Sequence, residues 1–188
     1  MDAYADKIFE NEGFAEQKIE HAEYENCTFS KCDFTNTSFS LCTFIDCTFV
    51  HCNLAMTKLV QSTMNNVAFE SCKIMGVNFG HCHDFIFEVS FKDCLLDYTS
   101  FEKRKMLKTS FVKSSLKGVD FGLADLKQSV FIDCDLNEAI FYNTNLQEVD
   151  FRQAYNYIIN PNENNIKKAR FSRESLAGLL TQYNIVIE

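Results

Sequence analysis

Cys27-Thr28-Phe29-Ser30-Lys31-Cys32-Asp33-Phe34-Thr35-Asn36-Thr37-Ser38-Phe39-Ser40-Leu41-Cys42-Thr43-Phe44 repeats itself every fifth residue, and that period decides the fold. Each five has a large apolar residue at its centre and a small one, often cysteine, two places before it. The central positions run Tyr24, Phe29, Phe34, Phe39, Phe44, Phe49, Leu54, Leu59, Met64, Phe69, Ile74 and Phe79. A second run, out of phase by two residues, takes in Ile86, Phe91, Leu96, Phe101, Met106, Phe111, Leu116, Phe121, Leu126, Phe131, Leu136, Phe141, Leu146 and Phe151. Phe9, Phe14 and Ile19 extend the first run backward in weaker surroundings. A period of five matches neither the 3.6 of an amphipathic helix nor the 2 of a half-buried strand, so a different solenoid is required.

Units such as Cys27-Thr28-Phe29-Ser30-Lys31 and Ala124-Asp125-Leu126-Lys127-Gln128 resemble the pentapeptide-repeat family. The resemblance implies an all-β, right-handed quadrilateral parallel β-helix, with four fives per coil of 20 residues and the central and small residues pointing inward. The columns of small residues test that turn length independently. Counting the two-residue slip as an insertion, one column reads Cys32, Cys52, Cys72, Cys94, Ser114, Cys134 and Ala154, and another reads Thr37, Thr57, Val77, Thr99, Val119 and Ala139. Five of the nine cysteines fall in the first, which a wrong turn length would scatter. The expected organisation is an N-terminal cap or irregular first coil at 1–18, about seven coils over 19–155, and a C-terminal module of turn, short helix and strand at 156–188.

Composition narrows the function. The formal charge of −8 disfavours direct binding to nucleic acid or an anionic membrane, and favours a protein partner with a basic surface. No apolar run approaches the roughly 20 residues that cross a bilayer, and the start lacks a signal-peptide pattern, so a cytoplasmic location with reduced thiols is expected. The Cys-x4-Cys spacing differs from the close pairs of zinc sites, and slots inside a packed tube make inert thiols. His21, His51 and His81 fall at corner positions, and only His81 and His83 with Cys82 could gather metal ligands. No glycine-rich phosphate loop appears. No catalytic residue, metal or cofactor is expected, and the chain reads as a binding protein, not an enzyme.

Two breaks interrupt the fives. At Gly80-His81-Cys82-His83-Asp84-Phe85-Ile86-Phe87 two extra residues intrude, where a small bulge is expected. Restoring the phase places Asp84 and Arg104 in one column with Ser62 and Ala124, as a buried ion pair, unless the bulge tips both outward. Lys103-Arg104-Lys105 with Lys108 is the densest basic segment. It reads either as a solvated corner or, through Lys103, Lys105, Phe85 and Phe87, as a contact for a partner.

The second break follows Phe151. Ser172 can cap a helix running to about Gln182, with Leu176, Leu179, Leu180 and Tyr183 on one stripe, and Ile185-Val186-Ile187 reads as a short strand. The stripe either closes the end of the solenoid or meets its copy in a homodimer, so Leu176, Leu179, Leu180, Tyr183 and Ile185 are the interface candidates. The tail from Asn156-Tyr157 through Asn165-Ile166-Lys167-Lys168-Ala169-Arg170-Phe171-Ser172 is similar to the ending of the albicidin-resistance member of the family. Similar architecture occurs in its microcin B17- and quinolone-resistance members. That resemblance implies a two-fold dimer whose acidic surface imitates B-form DNA, binds DNA gyrase, a type II topoisomerase, and confers resistance to a gyrase-directed toxin or drug. The long projecting loops of the quinolone-resistance members are missing, so their loop contacts do not carry over. The alternative is a rigid interaction scaffold for a partner unrelated to gyrase.

Overall fold

The structure, a computed structural model, describes residues 2–186. Short strands, mostly of three residues, pair in parallel with partners one coil away. Phe9 pairs with Phe29, Phe29 with Phe49 and Phe49 with Phe69, while Ile19, Phe39 and Leu59 pair on another wall. Past the slip the offset grows by two, with Phe69 opposite Phe91, and then returns to 20, with Phe91 opposite Phe111. The result is the right-handed four-walled parallel β-helix.

Ring stacking holds the tube. From Phe9 to Phe171 the successive rings of one wall lie 4.8, 4.6, 5.0, 5.3, 5.3, 4.7, 4.9 and 5.4 Å apart and nearly parallel. Eight steps at the strand spacing of about 4.8 Å make a rod of about 38 Å. The coil count is therefore about eight, one more than the sequence reading gives, because both ends are more regular than their residues advertise. Ala3–Ala5, Ile8–Glu10 and Lys18–Glu20 are in register with the next coil, so the first coil is not irregular. At the other end Asn165 and Arg170 still bridge to Asn145 and Asp150, and Phe171 stacks on Phe151.

The small slots are small for two reasons. The interior has no room beside the rings, and backbone carbonyls, in many slots those of the preceding coil, point into them. Thr57 Oγ1 donates to the Phe34 carbonyl at 2.8 Å, Ser62 Oγ to Phe39 at 3.3 Å, and the Cys72 and Cys134 thiols to Phe49 and Phe111 at 3.3 and 3.4 Å. Cys, Ser and Thr thus do one job, a short side chain with a donor. Cys32, Cys52, Cys72, Cys94 and Cys134 share one wall, and all nine cysteines are buried free thiols.

Nearly every corner, two residues past a central one, adopts the left-handed conformation. Asn26, Asn36, Asp46, Asn66 and Asp133 suit it, since their short polar side chains tolerate positive φ. Leu41, Tyr98 and Leu123 adopt it too, at φ of 55, 60 and 60°. The stack imposes the geometry where local preference opposes it.

Candidate binding surface at the register slip and the C-terminal end

Buried thiols line the interior. Burial pushes the Cys47 and Cys134 thiols up to about 11 and Cys82 to about 12, so they stay protonated near neutrality. No group of three metal-ligating side chains occurs among the described residues; His21 and His51 are exposed on separate coils, and His81 and His83 are exposed at the slip. No helix among the described residues is long and apolar enough to cross a membrane. The tube is filled, and its outside is most irregular at the slip and at the C-terminal end.

At the slip, a 3-10 turn at Phe79–His81 feeds Cys82 into the small slot beneath Ser62, and the His83 amide donates to the Ser62 carbonyl at 2.9 Å. The extra residues then bulge before Phe87, which pairs with Met64. Two assignments made from the sequence are corrected. Phe87, not Ile86, takes the place nearest the core on this wall, and Cys82, not Asp84, occupies the slot. Backbone pairing with Met64 fixed the phase, and counting fives across an insertion could not.

Arg104 does occupy its slot, in a position that elsewhere holds Ala124 or Ser62. The bulge draws the chain away from the next coil, so the Cys82 carbonyl accepts from Arg104 Nη1 at 3.1 Å and the His83 carbonyl from the same nitrogen at 3.2 Å. The guanidinium replaces the backbone donor the insertion removed. Nη2 contacts the Asp84 carboxylate, and the guanidinium carbon sits 5.6 Å from the centre of the Phe87 ring. The pair is one-sided: the Arg104 side chain is 6 % exposed and that of Asp84 90 %. Arg104 Nε is buried with no hydrogen-bond partner among the described residues.

Around this arginine, Asn78, Gly80, His81, Asp84, Phe87, Glu102, Lys103 and Lys105 line a cavity of about 480 Å³. Lys103 lies 2.6 Å from Glu102, and Lys105 borders a second depression with Phe85, Ile86 and Leu107. Phe85 is 85 % exposed, while Phe87 is half-buried against Phe79. Of the four partner-contact candidates, Phe85, Lys103 and Lys105 are thus available to a partner, and Phe87 is largely structural.

The C-terminal segment differs from its expectation. Instead of one α-helix capped by Ser172, the chain makes two 3-10 turns, Leu176–Leu179 and Thr181–Tyr183, and Ser172 contacts the Ser175 hydroxyl at 2.7 Å. Leu179 packs on the core, Leu180 is half-buried, and Leu176, Tyr183 and Ile185 are exposed. Gly178 accepts from the Ile159 amide at 3.0 Å, and a Cβ there would meet the Tyr157 carbonyl at 2.1 Å. Ile185 and Val186 form no strand, and Ile187 lies outside the described residues.

Two surface features escaped the sequence reading. Met56 lies over Gly76 and Tyr98 over Gly118, forming an apolar corner stripe, since a Cβ on either glycine would meet those side chains at 2.5 and 2.8 Å. Glycine at a corner, one coil beyond a large residue, was the signal. The charge is also polarised. Asp2, Asp6, Glu10, Glu12, Glu16, Glu20, Glu23 and Glu25 face only Lys7 and Lys18 at the first coil, whereas after Phe101 carboxylates and cations nearly balance.

These features define a class: a four-walled parallel solenoid with a core of stacked rings and buried thiols. Models of the pentapeptide repeat region and of pentapeptide repeats match residues 22–101 and 120–155. The chain belongs to the pentapeptide-repeat family. Among solved structures it is similar to two trypsin-treated forms of QnrB1, a plasmid-mediated fluoroquinolone resistance protein. One has 17% identity and a TM-score of 0.68, covering 100% of this chain and 98% of that one. The other has 16% identity and a TM-score of 0.51, covering 99% and 100%. No curated protein sequence matches this chain.

Proposed function

We propose that this protein is a non-catalytic binding rod that engages DNA gyrase and protects it from a gyrase-directed toxin or drug. The observation that carries the reading is the tube itself: all nine thiols are turned into a filled core, and carboxylates gather on the surface of the first coils. The fold shared with QnrB1, a fluoroquinolone resistance protein, supports it. Mimicry of DNA belongs to the acidic N-terminal coils rather than the whole length, and these coils occupy the basic DNA-binding groove with an affinity that falls as salt rises. Two rods join through the exposed Leu176, Tyr183 and Ile185, with Leu179 and Leu180 holding the segment to its own core.

A supercoiling assay with purified gyrase, with and without a fluoroquinolone, tests the reading. Inhibition or protection is expected; neither, at any ratio of protein to enzyme, would overturn it. The balanced charge after Phe101 favours a second reading, a rigid scaffold for another protein partner, for which binding would be insensitive to salt.

A further inference from the structure

We propose that the register slip is a binding site for an oxyanion, a phosphate or carboxylate group, with Arg104 as its receptor and Asp84 as a built-in occupant that the ligand displaces. Arg104 Nη1 is fully used by the Cys82 and His83 carbonyls, which fix the plane and position of the group. The opposite edge, Nε with Nη2, is a two-pronged donor that matches two oxygens of one anion. Asp84 contacts Nη2 alone and leaves Nε without a partner, so half of the fork is empty.

The occupant is cheap to displace. Asp84 stands almost wholly in solvent, on the inserted residues, whereas Arg104 is buried and anchored. An exposed carboxylate held by one contact gains little from its ion pair. The surroundings carry both signs: Lys105 borders the cavity free of any ion pair among the described residues, the Glu102 carboxylate in the lining is neutralised by Lys103 at 2.6 Å, and the Asn78 amide and His81 add polar edges. The space of about 480 Å³ admits a small molecule. This site does not depend on the gyrase reading, since it uses the basic cluster at the slip, away from the acidic first coils.

The Nε–H resonance of Arg104 in the full chain reports the site directly. Inorganic phosphate and succinate are titrated into the native protein and into Asp84→Ala at constant ionic strength, with chloride as the control. Both proteins should show a saturable shift of that resonance with at least one probe, and Asp84→Ala should bind about two- to fivefold tighter. Tighter binding of phosphate assigns a phosphate ester as the ligand, and of succinate a carboxylate. Equal affinity in the two proteins, no shift with either probe, or the same shift with chloride would each overturn the proposal. Lys105→Ala, a surface change that leaves the core alone, should weaken binding without altering the fold.

Discussion

Arg104 shows how one residue can repair a backbone. A two-residue insertion would leave carbonyls at the slip without donors, and the guanidinium supplies them. Arg104→Met should therefore cost about 2–4 kcal/mol, since two partly buried acceptors lose their partner. Asp84→Asn should cost under about 1 kcal/mol, because solvent replaces an exposed carboxylate. Denaturant midpoints of the two variants check the contrast, and equal losses would mean that the ion pair rather than the carbonyls matters. The thiols make a second case. Burial holds Cys47, Cys134 and Cys82 near 11 to 12, above the ordinary value near 9, so the folded state disfavours the thiolate. Their contribution to stability is complete below pH of about 9 and is lost as pH rises toward 11 to 12, because the unfolded chain ionises first. Midpoints measured in reducing buffer should decline across that window, and a flat profile would contradict the assignment.

At the scale of elements, the C-terminal segment has two jobs that separate by residue. Leu179 and Gly178 dock it to the solenoid end, and Leu176, Tyr183 and Ile185 remain outside. Gly178→Ala should push a methyl against the Tyr157 carbonyl and loosen the segment by about 1–3 kcal/mol, seen as faster proteolysis after Arg170 or Arg173. Leu176→Asp with Ile185→Asp should leave docking intact, since the Tyr183 hydroxyl keeps its bond from the Asn162 amide, and, under the proposed dimer, halve the mass measured by sedimentation. An unchanged mass would assign the segment to capping alone. Two 3-10 turns replace the expected α-helix, as the close approach at Gly178 and the tie from Ile159 hold this short segment flat against the coil end.

For the whole molecule, stability is a sum over neighbouring coils rather than a property of one centre. Phe91 has rings stacked on both sides and Phe9 on one, and Phe9 is only half-buried at the end of the tube. Truncation of Phe91 to alanine should cost about 3–5 kcal/mol and that of Phe9 distinctly less. Hydrogen exchange should be slowest in the coils around Phe91 to Phe131 and fastest in the first, where Tyr4, Phe9, Phe14 and Ile19 cover the core only in part. Uniform exchange along the rod would point to a single cooperative unit instead.

The run from Cys27 to Phe44 settled most of this by itself. A period of five fixed which residues face inward, and the cysteine column fixed the length of a coil, because stacked neighbours must share one slot and its chemistry. Those rules are local and repeat, so sequence carries them. The tertiary structure decided what happens where repetition fails. Whether Cys82 or Asp84 fills a slot, whether the tail is helical, and that the ends continue the coils all depend on the coil already in place. A stacked neighbour can impose register and left-handed corners on residues with little preference of their own. The binding surface is legible only in part for the same reason: Phe85, Lys103 and Lys105 stand out in the chain, but the cavity around Arg104 exists only once two coils are laid together.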